Sequence, residues 1–327
     1  MKTSLKLGLV LPHFGAHASI EKCIDGAIKA EAYGFNSVWV RDHLAFIPHE
    51  LEGSDNTHIE GLLVLSAVAS ATKKLTVGTA MAMCHRHPIH LAQSFAALSN
   101  ISNGRVIMGL GLGGFAHEFA VAGLPNGLAE RAHLARTNAI LCRRFWAGEK
   151  VSHQDDCYNF KNVELKPAPV NPIPIWCGGS SPAACRRVMD FGEGWLPARI
   201  TVPTFRKRIA YLRELSQKAQ RPLVTVGVIP LTSIAKDKPT ALSHVNVESL
   251  IDEANKNATW VKPASGTFAT LDDIQGLILA GTAEDIVRET RAYQAAGADL
   301  VVFDLRFRFT DWYEQIDLLG KAVLPAL

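Results

Sequence analysis

Short apolar runs alternate along this chain with longer stretches whose apolar residues recur at helical spacing. Leu5–Leu11 is nearly continuous in apolar residues, as a buried parallel strand requires. Ile20–Tyr33 follows with Ile20, Cys23, Ile24, Ala27, Ile28 and Ala30 at helical intervals, and Gly34 stands where a helix C-cap needs positive φ. The same alternation predicts strands at Ser37–Val40, Leu75–Met81, Arg105–Leu110, Ile173–Cys177, Gly194–Leu196, Leu223–Ile229 and Leu300–Leu305. Helices are expected between and after them, at Gly61–Thr72, Pro88–Ile101, Glu130–Trp146, Pro182–Phe191, Pro203–Ala219, Thr282–Ala296 and Asp311–Val323. Residues 151–165 read as a polar hairpin. The polar stretch Pro230–Leu279 breaks the repeat, with one helical segment near Ser249–Asn257.

Eight strand–helix rounds predict an α/β chain of (β/α)8, or TIM-barrel, type spanning residues 1–327 as one domain. Insertions are expected at about residues 150–168 and 231–280. A doubly wound sheet is the alternative, but eight rounds suit closure better. The larger insertion follows strand seven, on the side where such barrels place their sites, and a loop of that length suggests a lid or partner surface.

Composition narrows the classes. Of 327 residues, 48% are hydrophobic and 20% charged, so the chain is globular. The net charge of +3, without a face-long basic run, disfavours nucleic acid and anionic membranes as partners. No apolar stretch reaches the ~20 residues of a membrane helix. Residues 1–11 lack the pattern of a secretion signal, and a cytoplasmic location is expected. Cys23, Cys84, Cys142, Cys157, Cys177 and Cys185 form no C-x-x-C pair and are expected as reduced thiols in a reducing compartment.

In a parallel barrel, reactive groups come from the C-terminal ends of the strands. Strand two runs directly into Arg41-Asp42-His43-Leu44. His43 is a candidate for proton transfer, with Asp42 beside it, although a surface strand end would look the same. Cys84, His85, His87 and His90 follow strand three without a convincing ligand spacing, so pocket lining or helix capping is expected rather than a metal. Strand four ends in Gly109, Gly111, Gly113 and Gly114 around Leu112. These glycines would let a flat ring approach the backbone. After strand five, Gly178, Gly179, Ser180 and Ser181 precede Pro182 at a helix start, which makes a candidate phosphate cradle; an ordinary Ser N-cap is the plainer alternative.

Together these segments resemble the luciferase-like monooxygenase superfamily, which spans flavin-dependent monooxygenases and coenzyme F420-dependent oxidoreductases. The resemblance runs through residues 30–44, 75–80, 87–93 and 102–106, then 175–182 and 192–195, and ends in 281–285 and 296–299. It implies reduced FMN or coenzyme F420 across the ends of strands two to four, with His43 against the ring and phosphate at Gly178–Ser181. Ala80–Met81 matches a bulge that often holds a non-prolyl cis peptide. Gly111 and Leu112 would line the cofactor, and Phe14, Phe46, Met83, His85 and Phe115 a largely apolar substrate pocket.

Two departures stand out. Leu112 replaces the Arg that luciferases direct at the flavin phosphate. Gly114 lies near the place where some deazaflavin enzymes carry an acidic catalytic residue; Glu118 reaches it only if the loop folds back. The resemblance implies an F420-dependent hydride transfer on a small organic molecule. Its alternatives are an FMN monooxygenase supplied by a separate flavin reductase, and a non-catalytic flavin-binding barrel. A phosphosugar-type barrel fits poorly, because strands seven and eight lack glycine-rich turns. Apolar residues on more than one face of 61–71 suggest a homodimer.

Overall fold

The computed structural model describes residues 4–48 and 51–327, so the first three residues of the N-terminal run lie outside it. The strands β1 (Lys6–Val10), β2 (Ser37–Val40), β3 (Thr76–Thr79), β4 (Val106–Gly111), β5 (Ile175–Cys177), β6 (Gly194–Trp195), β7 (Thr225–Val228) and β8 (Leu300–Phe303) pair in parallel with their neighbours. Pairing of β1 with β8 and of β3 with β4 closes the barrel. The helices that return the chain between them include α1 (Ile20–Tyr33), α2 (Gly61–Ala71) and α3 (Pro88–Ser102). Their caps follow from sequence: Ser19 accepts from the Lys22 amide at the start of α1, and Gly34 closes it at φ 95°.

The barrel interior is filled by two indoles. Trp39 and Trp176 lie 5.7 Å apart between ring centroids. A Cβ on Gly78 would stand 2.5 Å from Trp39, and one on Gly194 would stand 2.4 Å from Trp176. Glycine in register on the neighbouring strand is thus what lets a small barrel hold two large side chains at interior density.

The strand expected over Leu75–Met81 is broken. It ends at Thr79, the Ala80–Met81 peptide is cis, and Ala82–Met83 re-pairs with β4. The loop after β4 contains a helix absent from the sequence reading, α4 (Ala116–Val121), ahead of α5 (Leu128–Trp146). The polar hairpin forms from Val151–Gln154 and Asn159–Val163. After α6 (Pro182–Phe191) and α7 (Val202–Ala219), the insertion following β7 proves more ordered than a loop. Its ends, Leu231–Ile234 and Ile278–Gly281, pair as parallel strands, and α8 (Lys238–Leu242) and α9 (Val247–Lys256) lie between them. Leu231, Leu250, Trp260, Phe268 and Ile274 give it a core of its own. The chain then passes through α10 (Ala283–Ala296), and the expected closing helix divides into a 3-10 turn, α11 (Trp312–Leu318) and a π turn. No helix among the described residues is long and apolar enough to cross a membrane.

Candidate active site

Side chains leave an extended strand end alternately to its two sides, and the residues after β2 separate accordingly. Asp42 turns toward the β3 side. Its carboxylate accepts from the Met83 amide at 2.8 Å and from Arg86 Nε and Nη2 at 2.7 and 2.6 Å. It is 3% exposed and ties the segment after the cis peptide to β2. Asp42 was expected beside His43 as a catalytic group. The structure instead commits it to this buried clamp, and the acid that reaches His43 is Glu118.

Glu118 sits on α4, which folds back over the barrel mouth. Fully buried, its carboxylate lies 3.3 Å from His43 Nδ1 and accepts from the amides of Leu44 at 2.7 Å and Ala45 at 3.2 Å. Burial pushes the Glu118 carboxyl up, but the His43 contact and the two amides outweigh it and hold the group below its ordinary range. On the other side of the ring, Arg41 Nη2 stands 3.1 Å from His43 Nε2. A guanidinium only donates, so Nε2 is the acceptor and Nδ1 carries the proton toward Glu118. His43 is thus held between a guanidinium and a carboxylate.

Arg41 is itself buried over Phe14, 4.4 Å from the ring centroid, and pairs with Glu52 at 2.7 Å. Glu52 and Asp304 both pair with Arg306, and Arg199 pairs with Glu253 on the insertion. Three arginines at the mouth are matched by three carboxylates, so the surroundings of His43 are close to neutral. Phe14, Phe46 and Phe115 close an apolar cage around His43, the latter two with ring centroids 5.1 and 5.3 Å from it. His85 packs edge-on against α4's Phe119, and its Nε2 is buried without a partner among the described residues.

The glycines after β4 have a use other than the one expected. A Cβ on Gly111 would stand 2.8 Å from Met81 Cβ, and one on Gly178 would stand 2.9 Å from Met81 Cγ. A Cβ on Gly109 would meet the Thr79 carbonyl oxygen at 2.0 Å. The room these positions create on their Cβ side is filled by the cis-peptide segment itself, so Gly111 makes space for Met81. The Leu112 side chain packs against the core.

The Gly178–Ser181 turn keeps the form of an anion cradle. Among the described residues, the amides of Gly179, Ser180 and Ser181 have no backbone acceptor. Ser181 Oγ accepts from the Ala184 amide as N-cap of α6, and Ser180 Oγ accepts from Trp260 Nε1 at 2.9 Å. Each hydroxyl therefore keeps its proton for another acceptor. Trp195 Nε1 and Arg208 Nε fix the carbonyls of Gly179 and Ser180. Gly179 adopts φ 92°, and the guanidinium of Arg187 stands 3.5 Å from where its Cβ would be. Trp260 brings the insertion into direct contact with the cradle.

Sequence reasoning did not single out Arg187, Trp260, His13 or His58. Arg187 sits five residues after Pro182 on the helix that the cradle opens, and His13 follows the C-terminal end of β1, both usable signals; His58 and Trp260 reach the mouth only through tertiary packing. Among the described residues, no group of three or more His, Cys, Asp or Glu is placed to hold a metal ion. A cavity of ≈ 1200 Å³ opens at the opposite, N-terminal mouth, over Tyr33, Phe35, Trp39 and Trp176, away from every group above.

Fold and site define a (β/α)8 barrel with an enzyme-type constellation at its C-terminal mouth. The sequence model of the luciferase-like monooxygenase family matches residues 6–300, and the chain belongs to that family. The F420-dependent glucose-6-phosphate dehydrogenase of Nakamurella multipartita is 31% identical over 225 residues, 64% of this chain and 63% of that protein. The F420-dependent hydroxymycolic acid dehydrogenase of Mycobacterium tuberculosis is 28% identical over 223 residues, 68% of this chain and 60% of that protein. The matches thus span less than two thirds of those relatives' length. An F420-dependent secondary alcohol dehydrogenase, solved with an F420–acetone adduct, superposes with TM-score 0.82 over 99% of both chains at 20% identity. The oxygenating constituent of 3,6-diketocamphane monooxygenase from Pseudomonas putida, solved with FMN, superposes with TM-score 0.79 over 99% of both chains at 16% identity. Likeness at these identities shows the shared barrel.

Proposed function

We propose that this chain binds coenzyme F420 and catalyses hydride transfer between its deazaflavin ring and a small, uncharged alcohol or carbonyl compound. The observation that carries this reading is the His43–Glu118 contact. Moving a hydride to or from a carbon that bears oxygen requires a matching proton at that oxygen, and a histidine backed by a carboxylate can hold one. The curated relatives named above, both F420-dependent by name, support the choice of cofactor.

The residues present fit such a group. The cradle offers free amides, two hydroxyl protons and Arg187 for a phosphate, and the buried Nε2 of His85, without a partner among the described residues, awaits a polar atom. Gly178, Gly179, Ser180 and Ser181 would hold the phosphate, and Ala80 and Met81 would back the ring. When bound, the deazaflavin accepts or donates a hydride. His43 carries the proton, Glu118 sets its tautomer, and Phe14, Phe46 and Phe115 exclude water. The matched charges of Arg41, Arg199 and Arg306 favour an uncharged substrate over a phosphorylated one, since each cation already has its anion.

Titration of the protein with F420 and with FMN, followed by fluorescence, tests this. F420 is expected to bind and FMN not. Binding of FMN alone would overturn the reading and point to a two-component monooxygenase with a separate flavin reductase. A reducing, cytoplasmic setting suits six unpaired cysteines. A homodimer suits Leu63, which is 69% exposed on α2; light scattering of wild type and Leu63→Glu reads that directly.

A further inference from the structure

We infer that His58, from the loop between β2 and α2, makes a direct hydrogen bond to the substrate's reacting oxygen and so forms a second substrate-facing imidazole beside His43. The inference rests on the function proposed above and adds a residue that neither the sequence reading nor the family resemblance singles out.

Three imidazoles meet at the mouth, and their nitrogens are used differently. His13 donates from Nδ1 to the Ile59 carbonyl at 2.9 Å and accepts at Nε2 from the Arg41 amide at 2.9 Å. Both its nitrogens are occupied. At His43, Glu118 holds Nδ1, while Nε2, the atom its proton-carrying role uses, is shared in this structure with Arg41. His58 differs: its Nε2 is buried and has no partner among the described residues. Leaving such a group unpaired is costly, and native proteins rarely do so without a ligand or ordered water to satisfy it.

The position of His58 is set by backbone and ring contacts together. Residues 57–59 are zipped antiparallel to residues 13–15: Gly15 donates to the Thr57 carbonyl, Ile59 donates to the His13 carbonyl, and Phe14 faces His58 across the bridge. The ring stands perpendicular to His43 at 5.4 Å, edge-on to His13 at 4.9 Å and tilted over Phe46 at 5.4 Å. The ring that carries the buried Nε2 is therefore packed among the side chains that surround His43. Burial, with the neighbouring His43 and Arg41, pushes its pKa down to about 4 against the opposing pull of Asp42 and Glu118, so the ring is neutral near pH 7. A neutral imidazole can present Nε2 as an acceptor to an alcohol or, in the other tautomer, as a donor to a carbonyl. One ring thus serves both directions of the reaction.

His58→Phe keeps the aromatic packing and removes the polar atom, whereas His58→Gln restores a donor and an acceptor. The test compares both with wild type, first by F420 titration and then with the best substrate from a panel of secondary alcohols and aldehydes. We expect equal F420 affinity in all three proteins. We expect kcat/KM to fall about tenfold to a hundredfold in His58→Phe and to recover largely in His58→Gln. In the F420-loaded wild type, acetone should shift the ¹⁵N resonance of His58 Nε2, a readout that needs no variant to fold. Wild-type kcat/KM in His58→Phe, equal losses in both variants, or an unmoved Nε2 resonance overturns the role of His58 while the proposed function stands. Failure of wild type to bind F420, or to turn over any panel member, overturns both.

Discussion

His43 and Glu118 are separated by 75 positions in the chain and by 3.3 Å at the barrel mouth. The contact exists because α4 folds the loop after β4 back across the end of β2. Glu118→Gln keeps the size of the side chain but turns an acceptor into a possible donor toward His43 Nδ1. We expect kcat to fall about tenfold to a hundredfold with F420 affinity nearly unchanged. Unchanged turnover in a variant that still binds F420 would remove Glu118 from proton handling.

Asp42 should behave differently. Its carboxylate takes both nitrogens offered by Arg86 and the Met83 amide, and it is buried. Arg86 is partly exposed and also pairs with Glu60, so Asp42→Asn leaves it one partner and should cost about 1–3 kcal/mol of stability. Urea unfolding measures this, and a variant as stable as wild type would contradict the clamp.

The packing around Met81 predicts a rescue. Gly178→Ala would push its Cβ to 2.9 Å from Met81 Cγ, and overpacking of this kind costs about 1–3 kcal/mol. Adding Met81→Ala should return part of that loss. Gly109→Ala, which meets the Thr79 carbonyl rather than a side chain, should not be rescued. Thermal midpoints of the single and double variants decide the matter.

Arg187 borders Gly179 in the cradle, and burial lowers its pKa below the ordinary guanidinium value. As a charged donor to a phosphate it would contribute about 1.5–3 kcal/mol. Arg187→Gln should therefore weaken F420 binding about tenfold or more, and high salt should narrow the gap between variant and wild type. Equal affinities at low salt would place the phosphate elsewhere.

Acid should weaken the fold through His13. Burial lowers its pKa from 6.5 to about 3, despite the Ile59 carbonyl that favours its proton. Below pH 6.5 the unfolded chain takes up a proton that the folded ring refuses. Stability is thus full above pH 6.5 and falls by roughly 1.4 kcal/mol per pH unit toward pH 3 from this group alone. His13→Asn, which cannot take up that proton, should be less stable near pH 7.5 and show a flatter decline between pH 6.5 and 4 in urea midpoints.

By itself, the sequence determined the barrel and the places where chemistry would be sought. Eight apolar runs separated by helical periodicity leave few other closures, and strand ends followed by His43 or by Gly178-Gly179-Ser180-Ser181 are legible because local spacing encodes them. The family resemblance marks Ala80–Met81 as a place where a cis peptide often occurs, and the structure decides that it is cis. Only the tertiary structure decided which neighbours each group would have. Asp42 adjoins His43 in sequence yet faces another strand, because an extended chain sends successive side chains to opposite sides. Glu118, His58 and Trp260 come from three separate connections that share nothing but the barrel mouth on which they converge. Gly111, expected to line the cofactor, also makes the space that Met81 fills, a contact set by packing across strands. Hydrophobic periodicity records which face of an element is buried, but not which residue from a distant connection will be pressed against it.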